Sequence, residues 1–206
     1  GWCLGNAWAA FLIARRWTWE RVFSSLLYLG LFAVGELLVV YLFRSKLNLT
    51  HPIAWLYLVT LLTNAVLACV ALIEALRSRP QLKPAEIATN ALQNTFLALF
   101  IIFVGFLGMY GCIAQVGWVG TNGGIFPEVM SLFTLRSFGV FYLCIALGVV
   151  PYVKYKSRDA LLNHGFISFG LIVFITAAAF VYIGVFDFAA KPGGLAYFGA
   201  YIVVGI

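Results

Sequence analysis

Charge is what this sequence has least of. Thirteen Lys and Arg and seven Asp and Glu make up 10% of 206 residues, against about 25% in an ordinary soluble domain. Too few charges are present to cover a water-soluble fold of this size. Disorder is excluded from the other direction, because 64% hydrophobic and 17% aromatic residues are the reverse of a disordered composition.

Histidine is scarcer still, with only His51 and His164. The four cysteines, Cys3, Cys69, Cys112 and Cys144, stand singly in apolar runs without a CxxC pair, which argues against a metal cluster or a disulfide framework. They read as small apolar packing residues. No HExxH, no GxSG, no Gly-rich nucleotide loop and no paired intramembrane Asp occurs, so the expectation is a protein that is not an enzyme. The one enzymatic alternative is chemistry at the inner face by His164 with Arg158 and Asp159.

What is present is length of apolar run. A membrane-crossing helix needs about 20 mostly apolar residues, and 21–43, 52–74, 91–116, 130–153 and 164–187 each meet that length. Two shorter runs, 2–14 and 194–206, flank them. The fold class expected is all-α, a polytopic integral membrane helical bundle of about seven transmembrane segments, five full and two truncated, in one transmembrane domain over 1–206. Position 1 is Gly and no cleavable signal peptide is recognisable, so the chain reads as the ordered or processed part of a longer protein.

The net charge of +6 invites a nucleic-acid reading, but the cations are scattered in ones and twos between apolar segments. Their placement reads as membrane topology, with no nucleic-acid partner. Arg15, Arg16, Arg21, Arg77, Arg79, Lys83, Lys154, Lys156 and Arg158 fall to one side, and Arg44, Lys46 and Lys191 to the other. Loops 15–21, 75–90 and 154–163 are therefore expected on the cytoplasmic face of a bacterial plasma membrane. Trp17, Trp19, Trp55 and Trp118 lie near span ends, where amphipathic rings prefer the headgroup level.

On the outer side, loop 117–128 reads GWVGTNGGIFPE and is turn-rich, either a connector or a re-entrant, substrate-facing segment. Asn48-Leu49-Thr50 matches a glycosylation pattern but sits in a short loop against the membrane, which argues against its use.

A weak internal repeat is visible. Placing His51 on His164 aligns the following helices without a gap, so that Leu58 meets Leu171, Thr63 meets Thr176 and Glu74 meets Asp187. These helices are three spans apart and cross in opposite directions, so the repeat would be a 3+3 inverted one with halves 21–116 and 130–206. The same parity puts the two histidines about 30 Å apart, too far to share a haem. Each is expected to end a helix at the interface, with ligation of a pigment or metal the weaker reading.

Charges at membrane depth are costly and mark sites. Glu36 and Arg136 lie at similar levels in the outer half and are expected to form a buried ion pair, acting as a static tie or as a gate. Thr60, Thr63 and Asn64 of the third span and Thr176 of the sixth would form a midplane polar site if the repeat halves converge. Gln93 and Asn94 are expected to satisfy a helix terminus, and Gly105, Gly108 and Gly111 to form a smooth packing stripe.

Few polar residues lie inside the membrane and no soluble domain is evident. The expected function is therefore a non-catalytic accessory or structural subunit of a larger membrane assembly, with a small secondary transporter or channel-like permease as the alternative. The expected partners are the bilayer and other membrane subunits or a second copy. No cofactor is predicted; bound lipid is expected, with pigment as a further occupant of apolar grooves.

Overall fold

The computed structural model describes residues 2–15, 17–80, 87–122, 129–195, 198, 199 and 201. Arg16 and Lys83 of the basic loops, residues 123–128 of the outer loop and 202–206 of the last apolar run lie outside the described residues. The chain is helical: α1 (Trp2–Arg15), α2 (Trp19–Leu42), α3 (Pro52–Ser78), α4 (Ala91–Ile113), α5 (Leu132–Val149), α6 (Pro151–Lys154) and α7 (Arg158–Val181). Among the described residues, five helical segments are long and apolar enough to cross a membrane: α2, α3, α4, α5 continued by α6, and α7. At 14 residues α1 is about 21 Å long, short of a 30 Å hydrocarbon core.

Local chemistry sets the helix starts. Asn90 and Gln93 form a reciprocal capping box at α4, as the amide-rich sequence there suggests. Ser131 and Ser157 cap α5 and α7 through their side chains. The His51 side chain accepts from Ile53 N at 3.3 Å ahead of Pro52, so His51 does end a helix. Asn48 Oδ1 is engaged by the Thr50 hydroxyl at 2.6 Å in the turn just before it.

His164 does not end a helix, contrary to expectation. The α7 cap is Ser157, which puts His164 nearly two turns inside, where it is buried. The serine signal at 157 outweighs the later start suggested by hydropathy. The proposed repeat is affected too, because His51 precedes its helix while His164 lies within one, and Glu74 lies inside α3 while Asp187 lies beyond α7. The helix ends thus depart from the register in which the sequences align.

Glycines bring the helices together. A Cβ at Gly111 would sit 2.5 Å from Gly139 Cα, and one at Gly108 would collide with the Leu143 backbone, so α4 and α5 meet nearly backbone to backbone. Gly105, at the other end of that stripe, leaves ordinary room beside Ala146. Gly5 and Gly170 do the same for α1 on α7, against Leu171 and Trp8. The main core joins Tyr28 and Phe32 of α2, Phe141 and Cys144 of α5, and Leu171 and Ile175 of α7. Of the cysteines, Cys144 is buried and Cys112 partly so, whereas Cys3 and Cys69 are exposed, so the packing role expected of all four does not extend to those two.

The segments expected on one side of the membrane meet at one end of the bundle. Thr89 N donates to Lys156 O and Arg158 N to Ile87 O, both at 3.0 Å, while Arg21 pairs with Asp159 at 3.5 Å. By contrast, α3 packs principally on α2 and buries Leu61 alone among its residues.

Candidate functional site

Helix α2 carries the site. Residues four apart lie on one helical face, and Ser24, Tyr28, Phe32 and Glu36 follow that spacing with Ser25 beside the first. All five are buried. Each polar member meets a partner from a different helix.

Glu36 is 1% exposed. Its Oε1 accepts from the Tyr57 hydroxyl of α3 at 2.5 Å and from the Ser137 hydroxyl of α5 at 2.7 Å. Its Oε2 is buried without a hydrogen-bond partner among the described residues. The expected ion pair with Arg136 does not form. Arg136 instead donates to Ala114 O, at the α4 C-terminus, at 3.3 Å, and lies over the Phe43 ring at 5.8 Å. A step of one residue turns a helix by about 100°, so with Ser137 facing Glu36 its neighbour points away. Arg136 adjoins the residue that meets Glu36 but lies on another face of α5.

Deeper along α2, the Tyr28 hydroxyl donates to Asn6 Oδ1 of α1 at 2.8 Å. A cavity of about 110 Å³ lies between α1, α2 and α3, with Asn6, Tyr57, Thr60 and Asn64 among its polar walls and Phe32 and Trp2 among its apolar ones. Thr60 and Asn64 therefore do line one cavity. Thr63 is exposed elsewhere on α3, and Thr176 Oγ1 is buried in α7 without a partner among the described residues. Since α3 and α7 are not a closely packed pair, the four do not converge as the repeat would require.

Toward the end where the basic loops meet, His164 Nδ1 lies 3.2 Å from Ser24 Oγ and 3.3 Å from Ser25 Oγ, and Nε2 lies 3.2 Å from Ser168 Oγ. Ser24 gives its own proton to Gly148 O. Its oxygen is left to accept from Nδ1, and Nε2 is then free to take the Ser168 proton. This cluster ties α2, α5 and α7, and the ring sits edge-on to Tyr152. Among the described residues no three His, Cys, Asp or Glu come together as metal ligands would. An open, mainly apolar groove of about 450 Å³ has Phe138, Ile175 and Tyr182 in its walls.

Asn6, Ser24, Ser25, Tyr28, Tyr57, Ser137 and Ser168 escaped the sequence reading, which weighted charge and midplane position. The signal was available for α2, where Ser24, Tyr28 and Glu36 fall on one face, with Phe32 between the last two.

No protein-family model, curated protein or solved structure matches the chain.

Proposed function

We propose that this protein is a non-catalytic subunit of a larger membrane assembly, resident in a bacterial plasma membrane with loops 15–21, 75–90 and 154–163 toward the cytoplasm. The observation that carries this reading is helix α3. It crosses 27 residues with a single buried side chain and leaves Thr63 uncovered at membrane depth, with Asn64 only partly covered. Apolar exposure alone demands no partner, since lipid tails are as apolar as leucine. Polar groups at that depth do favour a neighbouring helix that can bond them. Meanwhile the interior polar groups at Glu36 and His164 are engaged in joining helices to one another, which is what a scaffold requires.

A small permease is the second reading, favoured by the cavity that contains Asn6, Thr60 and Asn64. Its volume suits water or an ion rather than a sizeable organic solute, and it does not depend on an inverted repeat.

The test is solubilisation from the native membrane in mild detergent followed by native mass spectrometry. The subunit reading expects a discrete complex with at least one other polypeptide at fixed ratio, weakened by Thr63→Trp. A lone monomer or a homodimer would contradict it.

A further inference from the structure

We propose that Glu36 is a proton-binding site served by the cavity between α1, α2 and α3, with Tyr57 as the relay that carries protons between them. The inference concerns an internal site and stands whether the chain is a subunit or a permease.

Three observations meet here. Among the described residues Glu36 is the one buried carboxyl group. Both donors it receives go to Oε1, and Oε2 has no partner. That asymmetry leaves Oε1 as the oxygen within reach of a proton donor and Oε2 without a compensating hydrogen bond, which is costly for a buried polar group. The third observation is the position of Tyr57. Its hydroxyl donates to Glu36, and the same side chain forms part of the cavity wall. A phenolic oxygen that donates its proton keeps acceptor capacity, which the relay assigns to a donor in the cavity that Tyr57 lines.

The cavity has room for water, and its mainly apolar lining carries polar side chains that a water can meet. A single water needs roughly 10–15 Å³ and two to four polar partners, and the space measures about 110 Å³ with Asn6, Thr60 and Asn64 in its walls. A proton arriving on a cavity water passes to the Tyr57 oxygen while Tyr57's own proton passes to Glu36 Oε1. One O–H bond forms on the tyrosine as another breaks. The carboxylate becomes a carboxylic acid, the phenol is unchanged, and the cavity loses one proton. Release runs the same steps in reverse.

The groups that share the field of Glu36 are Tyr57 of α3, Cys112 of α4 and Cys144 of α5, with Arg136 of α5 acting on Cys112 and Cys3 of α1 acting on Tyr57. From α7 the titratable group facing α2 is His164, which contacts Ser24 and Ser25, three helical turns from Glu36.

The experiment is infrared spectroscopy of the full chain in lipid nanodiscs, following the carbonyl band of protonated carboxyl groups as H2O is exchanged for D2O. Wild type should show a band that Glu36→Gln removes. Tyr57→Phe should keep that band and slow its deuterium shift by roughly 100-fold, within the range that a positioned proton-transfer group contributes. A purely structural tyrosine would leave the exchange rate alone. No band lost in Glu36→Gln, or unchanged exchange in Tyr57→Phe, would overturn the proposal. Should Glu36→Gln fail to fold, Asn64→Leu in the cavity wall serves instead: slowed exchange supports the relay and an unchanged rate refutes it.

Discussion

Ser137 Oγ donates to Glu36 Oε1 at 2.7 Å across the α2–α5 interface, and the adjacent Arg136 makes no ion pair with that carboxylate. In place of the electrostatic tie anticipated between two charges, a serine hydroxyl donates to the Glu36 carboxyl group. This difference is measurable. In double-mutant cycles scored by unfolding in detergent, Glu36→Gln with Ser137→Ala should show a coupling of about 0.5–3 kcal/mol. Glu36→Gln with Arg136→Gln should be additive to within about 0.5 kcal/mol. A large coupling to Arg136 would restore the ion pair.

The glycine contacts make a second, graded prediction. A side chain at Gly108 or Gly139 meets backbone of the opposite helix, whereas one at Gly105 meets Ala146 Cβ at 3.7 Å. Gly139→Val and Gly108→Val should therefore lose about 1–3 kcal/mol or more to overpacking, and Gly105→Ala should be nearly neutral. Denaturant midpoints for the three variants rank them directly.

These two cases also show what the sequence made legible. Five apolar spans, a polar helix terminus at Gln93 and the glycine stripe were readable because hydropathy, capping chemistry and residue size act locally. Facing was not. Depth follows from counting along a helix, but which neighbour a side chain meets depends on helix rotation, and Arg136 and Ser137 differ by one residue. His164 was misplaced for a related reason: its helix begins at a serine cap in a polar stretch that hydropathy discounts. Asn6 and Tyr57 became part of the site only through the packing of α1 and α3 on α2, which no local pattern encodes.

His164 supplies the third prediction. His164→Ala removes a buried ring and strands the Ser25 and Ser168 hydroxyls, and should cost about 2–4 kcal/mol, combining a cavity with lost hydrogen bonds. Ser168→Ala removes one neutral bond and should cost about 1 kcal/mol. Comparable losses in both would show that the ring is not the centre of the cluster.

Topology gives a fourth. In a variant lacking the native cysteines, Cys placed at Lys156 or Arg79 should react with a membrane-impermeant thiol reagent only after the cells are opened, and Cys at Lys46 should react from outside. Both inner positions must behave alike, because their loops belong to the set that meets through Thr89, Lys156, Arg21 and Asp159. Opposite reactivities for Lys156 and Arg79 would break the assignment.

The most direct test of the subunit reading uses the uncovered face of α3. A photo-crosslinking amino acid at Leu62, which is 53% exposed on the chain alone, should capture one different polypeptide in high yield in native membranes. The same group at Leu61, which is buried, should not. Adducts at Leu62 confined to lipid, or to a second copy of this chain, would contradict the account.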